Sequence, residues 1–333
     1  MRRIAAIIAI VFALLATGLA VFLFGPWGDA DLRSVPNPAR SYAEAISRIG
    51  AVQAADASQP LAPDGASIVM VHGSQTATSV VLFHGYTSVP AQFAVIAKAY
   101  YDQGYNVWVP RMPYHGLKDP LGTALSKLDT VTLRRWTDDA LDVGAGLGQK
   151  VEIAGLSGGG TLTLWSAAQR PSTARAVAFA PLVDPSGIPY WAIKPLVRFF
   201  SLPIVPDYFV WWDSKLKEND PSPGYSRYSF KSIATYLAMG MHVYADAGSG
   251  TEPVAGTLAL VTNDNDAVIN GAFNVDLAKR LVAANRLTLL ALPARLELNH
   301  DIIGPDGRNK GRIGLSYDRI AGVLGVALPA MPR

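Results

Sequence analysis

A doubly wound α/β fold with a mostly parallel sheet is what the chain predicts, and three observations predict it. From residue 68 onward, short apolar runs rich in β-branched residues alternate with helix-length segments. One such run, residues 151–156, ends abruptly in Gly155-Leu156-Ser157-Gly158-Gly159-Gly160, and a helical-looking segment follows at once. The alternation breaks once, over about 184–247, for an aromatic- and proline-rich stretch, and then resumes. The expected organisation is an apolar segment (1–26), a linker with a short helix (27–66) and one α/β domain (67–333) carrying an insertion at about 184–247.

Composition supports a folded domain. Half of the 333 residues are hydrophobic and 17% are charged, which permits a large core and excludes global disorder. The net charge is +3, to which Arg2 and Arg3 contribute, and no basic stripe is interleaved with aromatics, so nucleic-acid binding has no support. The absence of cysteine removes disulfides, thiolate zinc sites and a cysteine nucleophile. The five histidines lack metal-ligand spacing, so no metal site is expected.

At the N-terminus, residues 4–24 are uncharged and follow Arg2-Arg3. As a helix they span ~30 Å, the thickness of a bilayer's hydrocarbon. The reading is an uncleaved membrane anchor, with the arginines cytoplasmic, the body exported and Trp27 at the outer interface; a cleaved secretory signal is the alternative. Residues 42–55 have helical spacing and carry no assigned chemistry. Strands are expected at 68–71, 80–83, 105–109, 151–156, 176–179, 257–262 and 287–292. Helices are expected at 90–103, 133–147, 161–169, 273–284 and from about Tyr317. A structureless loop as long as 184–247 is improbable in a compact domain, so that stretch reads as a separate helical insertion without strands. Its aromatics form its own core, line an apolar substrate pocket, or touch a membrane.

The glycine-flanked Ser157 at a strand-to-helix junction fits a nucleophile elbow, where a strained turn exposes the hydroxyl. A serine hydroxyl needs a base and a group that orients the base. On such a sheet these follow in the order carboxylate, then histidine, on loops after later strands, which selects Asp266 and His300. Asp264 is an alternative acid on the same loop. Asp301 reads as a local hydrogen-bonding residue, and His72 and His242 as structural or exposed. His115, on a loop after a strand, precedes Ser157 and is a weaker base candidate. An oxyanion hole is expected from the backbone N–H groups of Tyr86, after His84-Gly85, and of Gly158.

Five separated stretches, Leu82–Ser88, Pro110–Gly116, Gly155–Gly159, Asn263–Val268 and His300-Asp301, together resemble the α/β-hydrolase superfamily, in particular bacterial carboxylesterases and monoacylglycerol-lipase-like enzymes. The resemblance covers residue 68 to the C-terminus. It implies an α/β-hydrolase fold with a cap after the strand that follows the elbow helix, a Ser157–Asp266–His300 triad, a Tyr86/Gly158 oxyanion hole and no cofactor. The chain departs from the pattern at Tyr114 and Asn263, where relatives often carry glycine. The expected activity is hydrolysis of carboxylic esters, acyl lipids among them, by a membrane-tethered serine hydrolase. Alternatives are the same triad acting on a thioester, amide or C–C bond, and a catalytically silent protein that binds a ligand or partner.

Overall fold

The structure, a computed structural model, describes residues 2–25, 30–170, 172–248 and 256–333. Trp27 lies outside them. At the centre of the molecule is a seven-stranded sheet: β1 (Ile68–Met70), β2 (Thr76–Phe83), β3 (Asn106–Val109), β4 (Gly148–Leu156), β5 (Thr173–Phe179), β8 (Thr257–Asn263) and β9 (Leu287–Leu292). Its spatial order is β1-β3-β2-β4-β5-β8-β9, with β1 antiparallel to β3 and every other neighbour parallel. Parallel strands need helical crossovers, and those crossovers cover both faces.

Because side chains alternate along a strand, each central strand serves two cores. Val81, Phe83, Ile153, Ala176, Ala178, Leu258 and Leu260 pack on one face. That face is covered by helices α2 (Tyr42–Ala57), α4 (Thr130–Leu147), α5 (Gly158–Gln169), α7 (Phe230–Gly248) and α8 (Gly271–Leu281). Val80, Leu82, Ala154, Leu156, Val177, Phe179 and Val261 pack on the other, against α3 (Ala94–Asp102) and α9 (Ile313–Leu324). The helix expected over 90–103 begins as a 3₁₀ turn, Pro90–Phe93. The last helix starts at Ile313 rather than near Tyr317, because Gly311 and Gly314 dilute its first turn in the sequence pattern.

The 184–247 stretch differs from the expectation in two ways. It contains a two-stranded antiparallel ribbon, β6 (Phe209–Trp211) with β7 (Arg227–Ser229), as well as α6 (Tyr190–Ser201). Three-residue strands are too short to produce a readable alternation. Moreover, α7 is the crossover helix between β5 and β8, and Ala234, Tyr236, Met239 and Val243 on it belong to the sheet's own core. The true excursion therefore ends at β7, and it sits over the C-terminal ends of the strands through its contacts with the loop after β2.

Residues before the sheet are fastened to it. Asp56, at the end of α2, makes a buried ion pair with Arg111 (2.8 Å) and accepts the Ser67 N–H (2.9 Å). Asp138 and Asp142 on α4 are buried beside Arg170 and accept the backbone N–H groups of Val35 and Asn37. Helix α1 (Arg2–Phe24) is apolar, long enough to cross a bilayer, and buries none of its length against the body's core.

Candidate active site

The site forms where β4 turns into α5. Ser157 has φ 56° and ψ −116°, a conformation costly for a residue with a Cβ. It is held by its own N–H donating to Phe179 O (2.9 Å) and its carbonyl accepting from Leu182 (3.0 Å). The flanking glycines are obligatory for space. A Cβ on Gly155 would lie 2.2 Å from the Gly159 carbonyl oxygen, and one on Gly159 would lie 2.0 Å from that of Phe83. The turn sets Ser157 at the N-terminus of α5, where the helix dipole and unpaired N–H groups favour negative charge.

His300 and Asp266 meet. The imidazole Nδ1 donates to Asp266 Oδ2 at 2.7 Å, and Asp266 Oδ1 accepts the N–H groups of Val268 (2.8 Å) and Ile269 (3.2 Å). Burial pushes the Asp266 carboxyl up, but the His300 hydrogen bond and charge and the two backbone donors outweigh it, so its pKa falls below the usual value. Asp264, by contrast, is exposed on the same loop and makes no bond to His300. The other ring nitrogen, His300 Nε2, is buried and has no hydrogen-bond partner among the described residues. Ser157 is therefore not hydrogen-bonded to His300 in this structure. Bonds of this kind are often long without substrate and tighten when it binds.

On the opposite side, Gly158 and Tyr86 adjoin: a Cβ built on Gly158 would lie 2.9 Å from the Tyr86 Cβ. Neither backbone N–H has an acceptor among the described residues. The peptide unit that carries the Tyr86 N–H is fixed through its other end. His84 Nε2 accepts from the Met112 N–H (3.0 Å), so the ring proton sits on Nδ1 and donates to Gly85 O (3.0 Å), which also accepts from Ser88 N–H (3.0 Å). Burial, with the nearby His115 and Arg111 charges, holds the His84 pKa well below the ordinary value, which keeps this tautomer neutral.

The same backbone is shared with distant structures. Three-dimensional searches place the architecture beside known structures: one of the metagenome-derived lipolytic enzymes LipS and LipT (20% identity, TM-score 0.56, covering 72% of this chain and 94% of that one) and a soluble variant of monoglyceride lipase from Saccharomyces cerevisiae (17%, 0.56, 71% and 82%). The monoacylglycerol lipase of Paleococcus ferrophilus is a third (15%, 0.55, 71% and 90%). At these identities the likeness is one of fold. In sequence, 108 residues are 32% identical to a thermostable monoacylglycerol lipase from Bacillus sp. (strain H-257), a match that spans 32% of this chain and 41% of that relative's length. The chain has the fold of these α/β-hydrolases. No protein-family model matches it.

Further side chains brace the site, and one of them, Gln92, has no local sequence signal. Gln92 joins its two halves: Oε1 accepts the Gly85 N–H (2.7 Å), and Nε2 donates to Asp301 Oδ2 (2.8 Å), beside His300. Asp301 Oδ1 in turn accepts from Ile303 and Gly304, the local role expected of it. Asn263 ties the acid loop to the histidine loop by donating to Leu298 O (2.9 Å) and Asn299 O (3.1 Å). Tyr114 has φ 65°, a conformation in which glycine would be at ease. His115 is buried beside the loop after β2, with its ring 6.0 Å from that of Tyr86, but bonds to neither Ser157 nor Asp266. His72 stacks on Tyr101, and His242 is buried beside Gln169, both structural as expected.

Proposed function

We propose that this chain is a member of the α/β-hydrolase superfamily and a membrane-tethered serine hydrolase that cleaves carboxylic esters, including acyl lipids. Ser157 Oγ attacks the ester carbonyl carbon while His300 Nε2 takes its proton. Asp266 keeps the proton on Nδ1 and stabilises the imidazolium. The oxyanion is met by the Tyr86 and Gly158 N–H groups. Collapse breaks the carbonyl–alkoxy bond, and the imidazolium gives its proton to the leaving alcohol. A water then repeats the sequence on the acyl-enzyme, releasing the carboxylic acid and restoring Ser157.

The observation that carries this reading is the state of His300: one ring nitrogen is bonded to a carboxylate and the other is buried without a partner. The names of the relatives support an acyl ester as substrate, and the apolar α1 supports a tether with the body exported. A cleaved signal remains the alternative for α1. One observation favours a second reading, ligand binding without turnover: Ser157 and His300 make no hydrogen bond. A panel of p-nitrophenyl esters of rising acyl length, with monoacylglycerol, lysophospholipid, thioesters and anilides beside them, separates these. Turnover of esters with the other bonds untouched is expected; no turnover of any of them by the folded chain contradicts hydrolysis.

A further inference from the structure

Large apolar side chains left in water are unevenly distributed. Among the described residues outside α1 the exposed ones are isolated singles, such as Val35 and Leu289, except in residues 191–210. There Trp191 (70% exposed), Phe199, Ile204 (88%) and Tyr208 lie on α6 and the segment after it. Scattered singles are ordinary, whereas a concentrated patch marks a surface that meets something apolar. Ile193 and Val197 are the side of α6 turned to the core, so the patch is not a misplaced part of it.

The structure also points to what meets it. The C-terminal end of α1 rests on α6: the Arg198 guanidinium donates to the Phe22 carbonyl and lies 5.8 Å from the Phe22 ring, and Phe24 shares a cleft with Tyr190, Trp191 and Lys194. Wherever α1 leaves a bilayer, α6 is the part of the body at that surface. Lys194, beside Tyr190 and Trp191, adds a cationic group suited to headgroup phosphates. We propose that this face of α6 and residues 203–210 lies in the membrane interface beside the anchor, so that the body is seated on the bilayer rather than held away from it. Aromatic rings connect this face to the site. Phe199, Phe200, Phe230, Tyr228, Trp212 and Tyr86 follow one another at centroid spacings of 4.6–6.1 Å. This row forms an apolar wall along which an acyl chain leaves the bilayer for the Ser157 hydroxyl. The inference rests on α1 being a retained anchor and extends the proposed function to where the substrate comes from.

The cysteine-free chain permits a direct test. The full chain, reconstituted in nanodiscs of phosphatidylcholine and phosphatidylglycerol, is nitroxide-labelled in turn at Ile204→Cys, Leu14→Cys within α1, and Leu289→Cys on the edge strand. Power-saturation electron paramagnetic resonance then reads accessibility to oxygen and to a water-soluble nickel chelate. The expected result is a several-fold higher oxygen-to-nickel ratio at position 204 than at position 289, in the direction of position 14. A label at 204 as nickel-accessible as that at 289, while the one at 14 is immersed, overturns the proposal and leaves the anchor standing. Shielding of 204 from both reagents means a second protein copy covers it and also overturns the proposal, as does a label at 14 in water. None of these readings requires catalysis, so failure here is distinct from failure of the hydrolase reading.

Discussion

At the scale of single residues, the reactive geometry depends on side chains that touch no substrate. Gln92 holds the peptide before the Tyr86 N–H and the carboxylate next to His300. Gln92→Met keeps its shape and loses both bonds; we expect kcat to fall about tenfold or more, with KM little changed, from the ~1–3 kcal/mol of a buried hydrogen bond left unmade. Gln92→Glu is a sharper probe. Ionised, it repels Asp301; protonated, it can again accept from Gly85 and donate to Asp301. Its activity relative to wild type should rise as pH is lowered, whereas a merely structural lesion leaves that ratio flat. Ser157, Asp266 and His300 stood out in the sequence as candidates because each ends or follows a strand in a fixed order, and the structure brings Asp266 and His300 into contact. Gln92 was not, because its partner Asp301 lies 209 positions away and glutamine in a helix-start turn has no distinctive local signature. Asn263 was visible only as a departure from glycine; its clamp onto Leu298 and Asn299 supplies the reason.

At the scale of elements, the parallel strands were readable because each is a short apolar run between helical segments, and the sorting of Val80/Val81 and Val177/Ala178 onto opposite faces follows from strand geometry alone. The β6–β7 ribbon and the role of α7 as a crossover helix depend on tertiary pairing and left no periodic trace. Two predictions belong here. Arg170 is buried between Asp138 and Asp142, the pair that also anchors the segment before α2. Arg170→Met should cost about 3–5 kcal/mol in denaturant unfolding, because it leaves the buried Asp142 without its cation and Asp138 with Arg134 alone; a loss under about 1 kcal/mol, the scale of an exposed pair, would show that Arg170 is not needed there. Gly159→Ala forces a Cβ into the Phe83 carbonyl and should abolish accumulation of folded protein, while Gly50→Ala, facing open space on α2, should not.

At the scale of the whole molecule, the buried histidines at the loops after β2 and β3 make stability depend on pH. Burial, aided by the Arg111 charge and opposed by the Pro113 hydrogen bond, lowers the His115 pKa from 6.5 to about 4. As pH falls below 6.5 the unfolded chain takes up a proton that the folded chain refuses until about pH 4, so stability is lost across that window and is fully present above it. The loss from His115 is roughly 3 kcal/mol. Chemical denaturation at pH 7 and pH 5 should show wild type weakening markedly and His115→Asn weakening less. Equal slopes for the two proteins would exclude His115 as the source. The loop after β2 also receives the Trp212 and Tyr225 hydrogen bonds to Thr87, which join the excursion above the sheet to it.

In the proposed mechanism Ser157 is made nucleophilic by a base, His300, that comes 143 positions later in the chain. Labelling of the full-length protein by a fluorophosphonate probe tests it most directly, since the probe reacts only with an activated serine. The account predicts one labelled site, lost in Ser157→Ala and slowed by orders of magnitude in His300→Ala with the fold intact. Labelling of His300→Ala at the wild-type rate, or none in the folded wild type, would contradict it.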